Sequence, residues 1–556
     1  MCKQFRFINT HLTAIYVILS LIVILLLSVY KYQSGEINYR NSNATWHVLL
    51  TIQSYEETPI SVHKFLPIVS FGTPDDKGIP WGTAIPDESG NYYYTSFPWL
   101  GYFLPWAFIK IFNLPIAESS LYLFNTLLFA LSTAFWLCLI GAFYEKNKHR
   151  KILIPIATMS VIFIPEVMHG MGVVYWHQSV LQATLPAQML AYYLWKAKGS
   201  KYARLLFYIL VFLNPIIEWT GYIANSGYVL VEYLKNRNGE NTSYRKCIYW
   251  IAALTISSFI LYSIHHLMVI PADRYISTLY HRFVARSINS DTMTLGVYRT
   301  DLFSGYVRSF FAWWLVILCL FVWNLIQNGK VELKHKYELL FLVFLGLENI
   351  LVERHAIVYS YDRMKMVFFV SFVTCELLDQ LLSQASNVRN ACAIVLPFSI
   401  ICSGMNCYNY TETEDYIWNA NYRETNQLFA DFINQNYPNS ILGTEAIGGG
   451  YIDLLFHRGI YAYTEYNDIK KIAIDKHKRY AIMLYFDGSS GWRLYHVFFK
   501  TSAINWLMYR LKRADVYDTY TGKTISLYIA NAGEIRQIPA SGNNQTKESK
   551  MLEEDT

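Results

Sequence analysis

Long apolar runs separated by short basic clusters are the feature of this sequence that most restricts its fold. The first run, Leu12–Tyr30, is long enough to cross a bilayer as a helix, and similar runs recur up to residue 406. Hydrophobic residues make up 53% of the chain, and the formal net charge is only +6. We therefore predict an α-helical polytopic membrane protein whose basic clusters mark topology and give no indication of nucleic-acid binding.

The positions of the basic clusters predict how the chain is oriented. Lys3 and Arg6 precede the first run, which places the N-terminus in the cytoplasm and directs the first span outward. The same rule, applied to the later clusters, gives about eleven spans and an exterior C-terminal region. Pro98–Phe112 is too short to span and contains Pro105, so we expect it to lie in the membrane interface. The spans are predicted at 12–30, 119–143, 152–165, 179–195, 205–217, 220–234, 247–270, 307–326, 337–352, 364–382 and 390–406.

The first exterior loop, residues 31–97, holds nearly all the loop acids and histidines of the N-terminal half. It runs into an aromatic, proline-containing segment, YYYTSFPWLGYFLPWAFIKIF at Tyr92–Phe112, which leads back to the bilayer. A polar loop beside such a segment indicates a reaction chamber at a membrane surface. Its ionisable residues include Glu36, His47, Glu56, Glu57, His63, Asp75, Asp76, Asp87 and Glu88.

The character of the sequence changes after residue 406. Apolar runs shorten to strand length, as in SILGTEAI, RYAIMLYF and SLYIANA, and they alternate with helix-like segments. We predict a transmembrane module at 1–406, an exterior α/β domain at 407–540 and a disordered polar tail at 541–556. The sequence contains no glycine-rich phosphate loop with Lys-Ser/Thr, no metal-spaced Cys/His cluster and no G-x-S-x-G elbow.

Acids, histidines and arginines gather in four clusters at the predicted exterior ends of the spans. Basic residues on the outer face run against the positive-inside rule, and an anionic ligand such as a phosphate would explain them. The alternative is salt bridging, for example of Asp362 with Arg363 or Lys365, together with contacts to lipid headgroups. For His169 and His177, helix capping or aromatic packing remains equally open. The clusters contain Glu36, Asn43 and His47; Glu166, His169 and His177; Asp273, Arg274, His281, Arg282 and Arg286; and Arg354, His355, Asp362, Arg363 and Lys365.

Three segments together resemble the GT-C superfamily of membrane glycosyltransferases. WHVLLTIQSYEETPISVHKFLP at Trp46–Pro67 is similar to the helix and proline step that follow the first span in that superfamily. YYYTSFPWLGYFLPWAFIKIFNLPIAESSLYLFNTLLF resembles its ramp and second span, and ERHAIVYSYDRMK resembles its late exterior turn. Members of the superfamily that this sequence resembles include the O-antigen-modifying, aminoarabinose and protein O-mannosyl transferases.

The resemblance implies an enzyme that uses a polyprenyl-phosphate-linked sugar as its donor. It would transfer a hexosyl or pentosyl group to a cell-surface glycan or lipid, such as O-antigen or lipopolysaccharide, at the periplasmic face of a bacterial inner membrane. A divalent cation, Mg²⁺ or Mn²⁺, held by loop acids is a further expectation. Two other functions stay open: a non-catalytic carrier or flippase for lipid-linked glycans, and an O-antigen polymerase or ligase.

The sequence departs from the superfamily pattern at the position of the catalytic acid. That position falls at Asn41–Asn43, where the sequence reads NSN and offers no carboxylate. The role of general base would then pass to another exterior group. The resemblance thus implies Glu36, His47 or Glu57 as the base; Arg354, His355, Arg363 and Lys365 as contacts of the donor phosphate; and His177 and Arg282 at the acceptor side.

Overall fold

The chain forms two compact units in the computed structural model, which describes residues 2–40, 43–72, 84–237, 243–286, 295–384, 388–412, 421–445, 449–462, 464–486, 511–529 and 534–539. The first unit contains the described residues up to Pro67 and those from Tyr94 to Glu412. The second contains the described part of Ile68–Tyr93 and the described residues from Asn421 onward. Part of the first predicted loop therefore belongs to the same unit as the C-terminal region. The predicted tail, 541–556, lies outside the described residues.

The first unit is helical throughout. A π-helical turn at His169–Val173 follows α8, and a 3-10 helix at Ser360–Met366 follows α17. Its α-helices are α1 (Cys2–Gln33), α2 (Glu36–Tyr39), α3 (Asn43–Glu57), α4 (Ile60–His63), α5 (Leu100–Ile111), α6 (Glu118–Phe143), α7 (Arg150–Ile162), α8 (Pro165–Met168), α9 (His177–Lys198), α10 (Lys201–Ile217), α11 (Thr220–Asn236), α12 (Ser243–Leu267), α13 (Ala272–Arg286), α14 (Leu295–Asn328), α15 (Lys336–Leu345), α16 (Leu347–Leu351), α17 (Glu353–Val358), α18 (Val367–Gln384) and α19 (Val388–Glu412).

Several of these helices are long and apolar enough to cross a membrane. Within the described residues five qualify by length and hydropathy, and α7 with Pro165–Val173, bent by 64°, can form a sixth. This confirms a multi-pass membrane protein but does not confirm eleven spans. The reasons are local: α10 and α11 have only 17 residues each, and the predicted span 337–352 is interrupted at Gly346. The five are His11–Gln33, Glu118–Phe143, Tyr244–Leu267, Leu302–Gln327 and Ser360–Ser383.

Two short helices on the predicted exterior side position the candidate site. The aromatic segment forms α5, whose 12 residues include Pro105 and fall below span length, as the sequence predicted. Residues 272–286, which we expected to be loop, form the helix α13 instead. Only Tyr275 of α13 is buried, so most of its polar residues remain accessible. A helix with one narrow apolar contact of this kind is easily mistaken for a loop in a sequence.

The described residues of the second unit form a mixed six-stranded sheet with three helices, α20 (Asn421–Asn436), α21 (Gly449–Phe456) and α22 (Tyr466–Asp475). A separate two-stranded sheet joins β1 (Ala84–Pro86) and β2 (Tyr92–Tyr94). The larger sheet has the order β4-β3-β5-β6-β7-β8, with β3 parallel to β4 and β5 and the other pairs antiparallel. Its strands are β3 (Ser440–Thr444), β4 (Tyr461–Ala462), β5 (Tyr480–Phe486), β6 (Leu511–Asp518), β7 (Thr524–Ile529) and β8 (Ile535–Pro539).

The core of the second unit lies between this sheet and α22. Ile441, Ala481 and Met483 pack against Ile469 and Ala473 of that helix. These are the strand-length apolar runs that the sequence analysis selected. A C-terminal sheet region with packed helices is therefore present, as predicted for an α/β domain.

Candidate active site

The segment Tyr94–Phe97, just before α5, forms an aromatic platform on which three histidines meet. The Tyr94 and Phe97 rings are stacked with centroids 6.5 Å apart. The His47 ring lies 4.5 Å from Tyr94, and the rings of His177 and His355 lie 5.1 and 5.8 Å from Phe97. The structure thus brings together one predicted base, one predicted acceptor-side residue and one predicted phosphate contact. We call these three residues the three-histidine site.

His47 lies one turn into α3 and is buried among aromatic rings. Its ring centroid is 5.5 Å from Tyr102 and 5.3 Å from Trp176, and its Nε2 is 3.4 Å from the Tyr102 hydroxyl. Burial holds the pKa of the His47 imidazole well below its ordinary value of 6.5, and nearby His177 and Arg282 lower it further. His47 is therefore a neutral imidazole at neutral pH.

His177 begins α9, and a hydrogen bond to the backbone determines its tautomer. Its Nδ1 lies 3.1 Å from the Ile217 carbonyl oxygen. Because a carbonyl can only accept, Nδ1 carries the proton and Nε2 has the lone pair. That Nε2 is buried and has no hydrogen-bond partner among the described residues. A Cβ at Gly101 in α5 would lie 2.5 Å from the imidazole, so only glycine allows α5 this close to it.

His355 in α17 is held by a carboxylate. Its Nδ1 donates a hydrogen bond to Asp362 Oδ2 of the following 3-10 helix, and Asp362 Oδ1 accepts a 2.5 Å hydrogen bond from Gln178 Nε2. Burial lowers the pKa of His355 below its ordinary value, while Asp362 opposes part of that effect. An imidazole oriented by a carboxylate at Nδ1 presents Nε2 to a substrate, which is the arrangement of a general base.

Two half-buried arginines of α13 add positive charge beside the platform. Arg282 Nε donates a 3.0 Å hydrogen bond to Ser96 Oγ, and Arg286 Cζ lies 4.7 Å from the centre of the Phe97 ring. Arg286 Nη2 is also 3.4 Å from the Tyr94 hydroxyl. Burial by itself would raise the pKa of Tyr94, but Arg286 and Arg282 bring it below its ordinary value. The site therefore favours an anion on this side.

Arg363 and Lys365, predicted as phosphate contacts, are buried and paired. Arg363 lies 3.3 Å from Glu166 Oε1 and donates to the Ala356 carbonyl at 2.6 Å. Lys365 Nζ lies 2.6 Å from Glu348 Oε2. These contacts favour the salt-bridge alternative, although the partners are not Asp362, because a cation inside the bundle must be neutralised. The side chain of Arg354 lies outside the described residues.

Glu36 and Glu57, the other two predicted bases, occupy different surroundings from His47. Glu36 is buried between Lys31 and Arg40, at 3.6 and 3.8 Å, and accepts a 2.7 Å hydrogen bond from the Tyr410 hydroxyl. Glu57 is exposed at the end of α3 and accepts from Gln53 Nε2 at 2.8 Å. It lies about 15 Å along the helix from His47. Of the three, only His47 contacts the platform.

Comparison with known proteins identifies the fold. No family model matches the sequence, and no curated protein matches it. The oligosaccharyltransferase of Archaeoglobus fulgidus in its apo form is similar in structure, with 11% identity, a TM-score of 0.55, and coverage of 85% of this chain and 69% of that chain. ArnT from Cupriavidus metallidurans bound to undecaprenyl phosphate is similar with 11% identity, a TM-score of 0.50, and coverage of 85% and 93%. This chain has the GT-C fold.

A third structure extends the comparison to a ligand of the Archaeoglobus protein. AglB from this organism, in complex with an inhibitory peptide and a dolichol-phosphate, is similar to this chain with 12% identity, a TM-score of 0.50, and coverage of 84% of this chain and 69% of that chain. The resemblance deduced from the sequence is confirmed at the level of the fold. Sequence identities of this size show a common fold and carry no residue roles from one protein to the other.

The described residues of this chain contain no group of three or more His, Cys, Asp or Glu side chains able to hold a metal ion. Glu36 is neutralised by cations, and Asp87 accepts backbone hydrogen bonds from Ser89 and Asn91 at 2.8 Å. Mg²⁺ and Mn²⁺ require oxygen ligands, which the three-histidine site does not supply. The predicted acids Asp75 and Asp76 lie outside the described residues. We therefore place no step of the chemistry on a metal.

Sequence reasoning missed the Asp362–His355 pair and the platform. It placed Asp362 in the fourth cluster and considered it as a salt-bridge partner of Arg363 or Lys365, and it treated Tyr94 and Phe97 as the end of the first exterior loop, where the aromatic segment leads back to the bilayer. One signal was available: His355 and Asp362 lie seven residues apart across Tyr359, where the backbone is extended between two helices. Such a break allows the chain to turn back and brings the two side chains together.

Proposed function

We propose that this chain is a membrane glycosyltransferase that moves a sugar from a polyprenyl-phosphate-linked donor to a hydroxyl group of a cell-surface glycan or lipid. The observation that carries this proposal is the Asp362–His355 pair beside two arginines on the aromatic platform of a GT-C fold. The structures of ArnT with undecaprenyl phosphate and of AglB with a dolichol-phosphate support a lipid-linked donor.

His355 is the proposed general base, in place of the carboxylate missing at residues 41–43. Its Nε2 takes the proton of the acceptor hydroxyl while that oxygen attacks the anomeric carbon. The bond from the anomeric carbon to the donor phosphate oxygen breaks, and its electron pair leaves with the phosphate. Asp362 stabilises the imidazolium that forms, because it faces the protonated Nδ1. His47 is the second candidate, since it also contacts the platform as a neutral imidazole.

Arg282 and Arg286 are the proposed contacts of the donor phosphate. Both are half-buried on α13, and a guanidinium has five N–H donors, more than the contacts with Ser96 and Tyr94 use. They would neutralise charge that develops on the phosphate as the bond to the sugar breaks. Arg363 and Lys365 would act one step removed, by holding the 3-10 helix that carries Asp362.

The finer assignment follows the same chemistry. Nucleotide-activated sugars are made in the cytoplasm, so a site on the exterior face needs a donor carried by a lipid. We propose the periplasmic face of a bacterial inner membrane, with O-antigen or lipopolysaccharide as the acceptor and a hexosyl or pentosyl group as the cargo. The predicted exterior position of α13 and the Tyr94–Phe97 segment supports this orientation.

The test is transfer by membranes that contain the full chain. The membranes are incubated with a panel of radiolabelled polyprenyl-phosphate sugars, and label is measured in the extracted glycan and lipid fractions. We expect one sugar to be transferred by the native protein and not by His355→Gln. Movement of the donor lipid across the bilayer without transfer would instead support a carrier or flippase.

A further inference from the structure

A pocket of about 240 Å³ opens between α6, α9, α11 and α15, and the proposed reaction does not use it. Its wall is partly aromatic and partly charged, which is unusual between membrane helices. We call it the inner pocket. Its wall includes Phe143, Lys196, Tyr228, Lys235, Glu338 and Phe341.

The inner pocket lies at the end of the bundle opposite the three-histidine site. Helix α6 has 26 residues: it begins at Glu118, which accepts a 3.0 Å hydrogen bond from Trp46 beside His47, and it ends at the pocket residue Phe143. Helix α9 begins at His177, and Lys196 lies about 28 Å further along it. That length is close to the thickness of a hydrocarbon core, about 30 Å. The pocket is therefore level with the opposite membrane surface.

Two lysines bring ammonium groups to the inner pocket. Lys196 Nζ lies 2.6 Å from Glu232, and Lys235 Nζ lies 2.7 Å from Glu338. Their side chains are 35% and 28% exposed, whereas those of Glu232 and Glu338 are 2% and 21% exposed, so both ammonium groups are accessible. An ammonium has three donors, and each lysine can hold a ligand oxygen in addition to its glutamate.

Tyr228 is a third polar residue that lines the same pocket. Tyr228 is buried, and its hydroxyl has no hydrogen-bond partner among the described residues. Its ring is held by Phe341 and Tyr192, with centroids 4.3 and 5.0 Å away. A buried hydroxyl that lacks a partner is costly, and an oxygen of a bound ligand would satisfy it.

We propose that the inner pocket binds the headgroup of a glycerophospholipid from the adjacent leaflet. Lys196, Lys235 and the Tyr228 hydroxyl hold the phosphate, and the glycerol region rests on Phe143 and Phe341. Two lysines paired with two glutamates give no net charge, so the pocket offers ammonium hydrogen-bond donors but lacks the excess positive charge that a nucleotide with several negative charges requires. A pocket level with a membrane surface is also reached directly by lipid.

The experiment counts lipid bound to the intact chain. The full-length protein is purified in detergent, supplied with phosphatidylglycerol or phosphatidylethanolamine, washed and examined by native mass spectrometry. We expect the native protein to retain one phospholipid. The Lys196→Gln/Lys235→Gln variant and the Tyr228→Phe variant should each retain it about tenfold less well, as expected for the loss of a strong hydrogen bond.

Matched controls separate the pocket from general charge and folding. Lys198→Gln/Lys201→Gln removes the same charge at the same end of the bundle, and Tyr233→Phe removes an exposed hydroxyl of the same helix as Tyr228. Both should retain lipid as the native protein does. Tyr228→Phe preserves the packed ring, so a fold defect does not mask its result.

Three outcomes would overturn the proposal. The first is no retained lipid on the native protein, and the second is equal loss in the pocket and control variants. The third is displacement of the phospholipid by inorganic phosphate or by polyprenyl phosphate alone, which would assign the pocket to free phosphate or to the donor lipid. Because none of these readouts measures sugar transfer, they stand apart from a failure of the proposed enzyme activity.

Discussion

The 3-10 helix Ser360–Met366 serves two regions that treat charge in opposite ways. On one side, Asp362 orients His355 on the aromatic platform, where a lone pair and two half-buried arginines remain available. On the other, Arg363 and Lys365 are buried in ion pairs with Glu166 and Glu348. The comparison shows that Arg363 and Lys365, which the sequence pattern selected, stabilise the 3-10 helix through ion pairs. The cations placed for chemistry lie on a neighbouring helix.

Breaking a buried pair should have the largest effect. We expect Lys365→Met to lower the free energy of unfolding by about 3–5 kcal/mol, because Glu348 is left as an uncompensated buried charge. Thermal unfolding of the purified protein measures this. Lys336→Met, at an exposed lysine of α15, is the matched control. The double variant Lys365→Met/Glu348→Gln should recover part of the stability, and a fully stable single variant would mean that the pair does not hold the helix.

Removing the proposed base should abolish turnover while the protein stays folded. We expect His355→Gln to lose on the order of 10²–10⁴-fold in transfer rate, since a glutamine cannot take the proton. Initial rates with the radiolabelled donor give the effect, with the exposed His281→Gln as control. Glu57→Gln should behave as the native protein. If His47→Gln loses turnover and His355→Gln does not, the base is His47.

Replacing an arginine of α13 should weaken binding of the donor more than it slows the transfer step. Arg282→Gln and Arg286→Gln each remove one charge-assisted contact, worth about 1.5–3 kcal/mol, so we expect the KM for the donor to rise roughly tenfold or more. Arg274→Gln, at an exposed arginine of the same helix, is the control. If the KM for the donor rises as much in Arg274→Gln, the effect comes from the loss of positive charge in general. Arg282 and Arg286 would then not differ from Arg363 as specific contacts of the donor phosphate.

The pH dependence is the smallest expected effect. Because burial lowers the pKa of His355 below 6.5, its neutral, proton-accepting form predominates at pH 7 and is lost only as the pH falls through that lower value. Transfer should therefore be flat near neutrality and decline on the acid side. Asp362 raises this pKa, so Asp362→Asn should move the acid limb to lower pH. Profiles of kcat/KM against pH for the native protein and Asp362→Asn test this prediction. If the acid limb does not move in the variant, the limb does not report the titration of His355.

Local pattern was enough for the parts of this protein that depend on hydropathy and chain geometry. The apolar runs predicted a multi-pass helical bundle, Pro105 and its aromatic neighbours predicted a short helix, and strand-length runs predicted the C-terminal sheet. The GT-C resemblance followed from the order of these segments. Residues from three of the four exterior clusters, His47, His177 and His355, also meet at one site.

The number of spans could not be read in this way. A run such as 337–352 is apolar enough to span, yet Gly346 divides it into two short helices. Likewise, α13 has too little apolar surface to be distinguished from a loop until Tyr275 is seen to pack. Helix ends are decided by packing partners, which a local window does not contain.

By itself, the sequence determined which residues are ionisable, which segments are apolar and in what order those segments follow one another. Only the tertiary structure decided which charge meets which partner. Arg363 and Glu166 are 197 positions apart in the sequence. The hydropathy pattern is compatible with many other charge pairings, and no spacing rule selects this one. The partner of each cation decides its role. In a low-dielectric interior a cation paired with a carboxylate supports the fold, whereas a half-buried cation at the edge of the bundle can bind an anion.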